Sequence, residues 1–424
     1  MLFRLAWKDF KRILGINLLE ILLLVAVFLT AISIVSAVQI KFKKYSVLSQ
    51  YLDENGVYIE SGYLSQEKNG NNVLLRDEQE LKEYFPEINS VLSVEQVWDM
   101  TVTERDLPIT LWCYSEAVVN SFSPSMESGR WFQKSDMDSD MLKAVVTYNE
   151  NDLKPGDIVT LETGLSDAKE KVEIIGVMED NESLFYTSMT GSSYGDYRDC
   201  YYVYNYEAEE KNVLMILADQ QILNGEEKGD FEVLNYRLNR TAGFQKEMTG
   251  GTLLTFGNDI SQNVIDQDME KLKRDSAIYR IYSLPEMKNN SWNYILEELH
   301  NYFPVFVCIF IFVLIAAISA NTITVKKQLK NYAIYNICGL PWKSCAAISL
   351  CGACIISGIA FVMVAFAISF LKNTGSIENT ALQLGWWQLL VCGMVIFSYI
   401  LLAWLIPLSI VRNTSTKEII TNNR

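Results

Sequence analysis

Four stretches of this chain are apolar and uncharged for twenty residues or more: residues 21–40, 302–325, 346–371 and 386–411. A helix needs about 20 such residues to cross a hydrocarbon core of about 30 Å, so four transmembrane helices are expected. The first run follows Arg4, Lys8, Lys11 and Arg12 and contains Val35-Ser36-Ala37, which looks like a signal cleavage site. It is longer than the roughly 7–15 residues of a signal-peptide core and reads as an uncleaved anchor.

Basic residues orient the helices, because cytoplasmic flanks carry the excess of Lys and Arg. Four precede the first run, Lys326, Lys327, Lys330 and Lys343 lie between the second and third, and Arg412, Lys417 and Arg424 close the chain. Only Lys372 lies between the third and fourth. A multi-pass protein of the cell membrane with both termini cytoplasmic follows, and residues 41–300 face outward. The formal net charge of −15 divides accordingly, with residues 41–300 at −23, residues 1–40 at +2 and residues 301–424 at +6. That balance argues against nucleic acid as a partner. The cytoplasmic lysines sit where anionic headgroups of membrane lipid are within reach.

The external segment has the punctuation of an α+β domain. "AVVTY", "DIVTLE" and "KVEIIGV" are β-branched runs, and Lys154-Pro155-Gly156-Asp157 between them is turn chemistry. "YYVYNY" and "NVLMILA" read as strands and "ISQNVIDQDMEKLKRD" as a helix. Tyr201, Tyr202, Tyr204 and Tyr206 belong to a strand core or line a substrate surface. Cys113 and Cys200 are the two external cysteines, and a disulfide between them is left open.

Before the second run, Trp292, Ile295, Leu296, Leu299 and Phe303 recur at helical spacing. They imply a stalk helix capped by Asn290 or Ser291, kinked at Pro304, and packed on an extension of the first helix through residues 42–51. Ser349, Ala353 and Ser357, with Gly352 and Gly358, form a small-residue stripe that favours close helix packing. Cys351-Gly-Ala-Cys354 has redox spacing, but inside an apolar helix it reads as small packing residues.

Catalytic motifs are missing from the sequence: no H-E-x-x-H, no G-x-S-x-G and no P-loop G-x-x-x-x-G-K-[ST]. The single histidine, His300, has no second histidine or cysteine near it, and no metal site is expected.

The stretch "VKKQLKNYAIYNICGLPWKSC" at residues 325–345 is basic and helix-patterned between two greasy runs. Leu329, Tyr332, Ala333, Ile337 and Leu340 form an apolar stripe. Gly339 suits a helix C-cap, and Pro341 stops the helix so that the chain turns back. Trp342 and Lys343 anchor the turn at the interface.

One helix, a large external domain and three more helices resemble the permeases of the MacB and FtsX superfamily of ABC transporters. In the external domain Gly129, Arg130, Trp131 and Phe132, then Gly156 and Asp157, then Gly176, are similar to that family's "GRWF…D", "GD" and "IGV" series. The basic stretch resembles its cytoplasmic coupling segment, with Lys330, Asn331, Tyr332, Ile334, Tyr335, Gly339, Leu340 and Pro341 at the matching positions. Asn331 stands where the family carries a glutamate, so the family's salt bridge to the ATPase is not expected. Pro407, Arg412 and the "TKEII" tail resemble the family's close.

The resemblance implies a non-enzymatic permease subunit working by mechanotransmission as a homodimer or heterodimer. ATP and Mg would be held by a separate ABC ATPase, and this chain would need no cofactor. The implied substrate would be a peptide, drug or lipid-linked molecule exported or extracted on the outer side, antimicrobial peptides among them. The alternative is a membrane-anchored sensor or regulator of a cell-wall hydrolase or signalling partner.

Overall fold

The structure, a computed structural model, describes residues 2–60, 65–68, 71–74, 81–83, 85–88, 90–95, 98–104, 107–150, 152–162, 169–186, 194–229, 251–275, 280–374 and 382–412. Its elements begin with α1 (Leu2–Arg12), α2 (Leu14–Ser46), β1 (Gly56–Glu60), β2 (Ser65–Lys68), β3 (Asn71–Leu74), β4 (Val91–Glu95), β5 (Trp98–Glu104) and β6 (Leu107–Tyr114). There follow α3 (Glu116–Ser121), β7 (Met126–Gly129), β8 (Leu142–Val146), β9 (Ile158–Glu162), β10 (Lys169–Met178), β11 (Ser183–Phe185), β12 (Tyr201–Val203) and β13 (Val213–Ala218). The last are α4 (Asp219–Glu227), β14 (Gly251–Phe256), α5 (Gln262–Asp275), β15 (Arg280–Ser283), α6 (Leu284–Ile337), α7 (Trp342–Asn373) and α8 (Trp386–Arg412). The chain divides into two compact units, Met1–Lys41 with Ile295–Arg424, and Phe42–Tyr294.

Among the described residues, four helices are long and apolar enough to cross a membrane: α2, α6 as far as Leu329, α7 from Ala346, and α8 as far as Ile406. The chain is a multi-pass membrane protein that joins these helices to an α+β sheet unit.

In the helical unit the core is a seam of residues three and four apart. Ile21, Leu24, Phe28 and Ile32 of α2 meet Ala353, Ile356, Ala360, Val364 and Ile368 of α7, and Cys392, Val395, Tyr399 and Ala403 of α8. Val313 and Ala317 of α6 join them. Alanines at these positions let backbones approach closely, which matters where lipid competes equally well for apolar contacts. Of the small-residue stripe, Ala353 and Ser357 are buried, while Ser349 and Gly352 are half-buried and Gly358 is exposed. Polar groups tie α2 to α8: the Tyr399 hydroxyl donates to Glu20 Oε2 at 2.7 Å, and the Gln388 amide donates to Ser36 Oγ and Gln39 Oε1 at 3.2 and 2.8 Å.

The larger sheet of the other unit has the order β7-β10-β8-β13-β6-β5-β9 and curls closed, because β9 pairs with β10 as well as with β5. Alternate residues of each strand fill it, as a two-residue period requires: Ile109, Leu111 and Cys113; Leu142, Ala144 and Val146; Val213, Met215 and Leu217. A second sheet, β15-β1-β14-β4, buries Val57, Ile59, Leu254 and Phe256 against Ile265, Met269 and Leu272 of α5.

Several expectations are corrected here. α2 stops at Ser46 rather than reaching residue 51, since Ser46 Oγ and Ser49 Oγ donate to the carbonyls of Lys43 and Ser46 and draw the backbone out of the helix. α6 begins at Leu284, so Asn290 and Ser291 lie inside it. Its cap is Ser283, whose Oγ accepts from the Glu286 N–H at 3.2 Å. Only Tyr201–Val203 of the tyrosine run is a strand; Tyr204 and Tyr206 are buried and Tyr202 is exposed. Cys113 and Cys200 are both buried, and no disulfide joins them.

Candidate functional site

α6 ends where Gly339 turns the chain at φ +93°, a left-handed conformation that penalises any Cβ. The backbone closes there as a Schellman motif. The Leu340 N–H donates to the Tyr335 carbonyl at 2.9 Å and the Gly339 N–H to the Asn336 carbonyl at 3.0 Å, satisfying two acceptors that a helix end leaves open. Asn336 Nδ2 adds a bond to the Leu340 carbonyl at 3.1 Å. Leu340 and Tyr335, with Leu329, pack against the buried pair Val325 and Tyr332. Pro341 then caps the start of α7.

This helix end has two faces. Tyr332 and Ala333 are buried and Asn331 and Tyr335 half-buried, whereas Lys326, Lys327, Ile334, Ile337 and Cys338 are exposed. Ile337 is 64% exposed and Ile334 47%. Ile337 therefore leaves the apolar stripe to which its spacing assigned it and joins the outward face, being the last helical residue before the turn. That face is basic and apolar at once. The side chains of Lys330, Trp342, Lys343 and Arg412 and the tail at 416–420 lie outside the described residues, as does the side chain of Pro407.

The start of α6 is held within the sheet unit by contacts that the sequence did not announce. Ser291 Oγ accepts from the Tyr197 N–H at 2.9 Å and Asn290 Nδ2 donates to the Gly195 carbonyl at 3.0 Å. The Arg198 guanidinium lies 3.7 Å from the ring centres of both Tyr194 and Tyr294 and donates to both oxygens of Asp196. Burial opposes the Arg198 charge, but these bonds outweigh it and raise its pKa. Trp292 meets Phe42 and Tyr45 edge to face, with centres 6.3 and 6.4 Å apart. In the helical unit Ile295 is buried, Leu299 half-buried and Leu296 38% exposed. Of the predicted stalk stripe, Ile295 is thus the inward position.

The seven external motif residues converge on one packing node between β7 and β10. Gly129 pairs with Gly176 in register. A Cβ on Gly129 would lie 2.3 Å from the Ile175 carbonyl oxygen, and one on Gly176 would lie 2.4 Å from that of Arg130. Gly156, at φ +96°, donates its N–H to Ile174 at 2.8 Å, and the Asp157 carbonyl accepts from Ile174 at 2.9 Å. Arg130 grips Asp136 with two bonds of 2.7 Å, Trp131 Nε1 donates to the Val119 carbonyl, and Phe132 is buried. Burial pushes the Asp136 carboxyl up, but Arg130 and the Gln133 N–H outweigh it and hold it below the usual carboxylate range. These contacts make the node a packing scaffold.

Among the described residues no group of three or more His, Cys, Asp or Glu is placed to hold a metal ion. No family model matches the chain, and no curated protein matches it in sequence. The chain is similar to the extracellular domain of the noncanonic ABC-type transporter YknZ from Gram-positive bacteria, at 13% identity and a TM-score of 0.28, over 53% of this chain and 100% of that one. It is also similar to the periplasmic region of MacB from Actinobacillus actinomycetemcomitans, at 12% identity and a TM-score of 0.28, over 56% of this chain and 93% of that one. At these TM-scores the functional reading rests on the layout and on the geometry above.

Proposed function

We propose that the chain is the permease subunit of an ATP-driven transporter of the MacB and FtsX type, coupled to a separate ABC ATPase and assembled as a dimer. The observation that carries this is α6 itself. It is one helix of 54 residues, anchored at its start by the Tyr197, Gly195 and Arg198 contacts and finished at its end by a rigid cap beside an exposed basic and apolar face. A helix transmits displacement along its axis without needing a pore or a reacting group. ATP-driven closure of the ATPases pushes the 326–341 segment, and the motion reaches the sheet unit on the outer side. There a peptide, drug or lipid-linked substrate is expelled.

Ile334 and Ile337 are the contact residues for the ATPase, with Lys326 and Lys327 beside them. A double change Ile334→Asp and Ile337→Asp puts charge into that contact without touching the Val325 and Tyr332 cluster. The protein should reach the membrane and lose both ATPase copurification and stimulated hydrolysis. Full copurification by the double variant would refute the coupling role.

A further inference from the structure

α1 lies against α7 and leaves a groove of about 580 Å³ between them. Phe3 and Trp7 line one wall, and Cys354, Ile355, Gly358 and Val362 line the other. Among the described residues no charged side chain lines it. A Cβ on Gly358 meets nothing within 4 Å, so this glycine leaves space beside α1, while Ala353 of the Cys351-Gly-Ala-Cys354 region packs into the seam. Ala6 on α1 is buried, as is Ile13 in the turn that follows it, while Arg4, Lys8, Lys11 and Arg12 are exposed. Arg4, Lys8 and Lys11 fall at i, i+4 and i+7, on one side of the helix. Lys11 Nζ stands 5.6 Å from the centre of the Trp7 ring, which sets this cationic stripe along the lip of the groove.

We propose that the groove binds an anionic phospholipid of the bilayer, with one acyl chain between α1 and α7 and the phosphate on Arg4, Lys8 and Lys11. Hydrocarbon suits the walls, phosphate suits the lip, and only a lipid carries both at the required adjacency. A free phosphate would leave the groove unused. A second copy seated through the same face would set its own cationic stripe against this one. The proposal needs only that the chain is embedded in a membrane, so its failure leaves the coupling role untouched.

The test is native mass spectrometry of the full chain in detergent, titrated with phosphatidylglycerol or phosphatidylcholine of identical acyl chains. The expected result is preferential retention of phosphatidylglycerol. Changing Arg4, Lys8 and Lys11 to Gln should lower that retention by roughly fivefold for each cation removed and leave phosphatidylcholine unaffected. Val362→Trp, at a side chain 65% exposed, should fill the groove and lower retention of both. Circular dichroism checks that the variants keep their helices; if the triple variant unfolds, the single variants Arg4→Gln and Lys11→Gln carry the test. Equal retention of the two lipids by the wild-type chain, or phosphatidylglycerol retained undiminished after the cations are removed, overturns the proposal.

Discussion

Gly129 and Gly339 both sit at positive φ, +74° and +93°, yet they constrain the molecule differently. A Cβ on Gly129 would strike the Ile175 carbonyl oxygen at 2.3 Å and Gly176 Cα at 2.8 Å, both backbone atoms, while one on Gly339 meets nothing within 4 Å. The first glycine pins two strands of a closed sheet; the second only sets the direction of a turn. A glycine that needs space as well as conformation belongs to the scaffold. One that needs conformation alone leaves its surroundings open to a partner.

The largest effect should come from breaking the scaffold glycines. Gly129→Val and Gly176→Val each force a side chain into backbone that has no room to retreat, and should cost more than about 4 kcal/mol. Thermal melting by circular dichroism and limited proteolysis should show the sheet unit unfolded. Native-like melting of either variant would mean that β7 and β10 separate easily and would erase the contrast with Gly339.

A middling effect is expected in the helical unit, where Tyr399 is the partner of buried Glu20. Tyr399→Phe removes the donor and strands the carboxyl, at about 1–3 kcal/mol. Glu20→Gln keeps an acceptor at the same place and should cost less. Melting in micelles compares them, and equal losses would show that the hydrogen bond does not tie α2 to α8.

The scaffold node also has a pH signature. Asp136 is held below its ordinary value of 3.8 by Arg130, so its ionised form stabilises the fold above that value, and the gain is lost as pH falls through the lower folded value. Arg130→Met should therefore lower the melting temperature most near neutral pH, and the gap from wild type should narrow as pH drops below 3.8. A gap that does not change with pH would assign Arg130 a packing role only.

How much of this was legible in the sequence follows from the range of the interactions. The four spans were, because twenty uncharged residues have few other fates. The turn at Gly339 and Pro341 was too, since helix caps are local and residue-specific. Even so, the cap at Ser283 was passed over although Ser283-Leu-Pro-Glu286 carries the S-x-x-E pattern, because the apolar stripe begins later, at Trp292. The node joining Gly129, Gly156 and Gly176 depends on strand pairing across some fifty residues, which spacing does not encode. Glu20 stands one residue outside the charge-free run and reads as a flank; only the fold brings Tyr399 to it. The Tyr194, Arg198 and Tyr294 stack is equally non-local.

The smallest effect tests the other half of the comparison. If Gly339 requires conformation alone, substitutions there should rank by how readily each residue enters the left-handed region, and not by size. Asn enters it through local hydrogen bonding and should cost only a few tenths of a kcal/mol, whereas β-branched Val should cost about 1 kcal/mol or slightly more. Ala lies between, although it is smaller than Asn. Neither Asn nor Val disturbs the Val325 and Tyr332 cluster, so membrane insertion and the melting of the sheet unit should match wild type. The consequence belongs to coupling: Val redirects the segment after residue 338 and should weaken ATPase stimulation, while Asn should preserve it. A ranking by volume, with Asn worse than Ala, would mean that a neighbour fills the space beside Gly339, and the contrast with Gly129 would be one of degree.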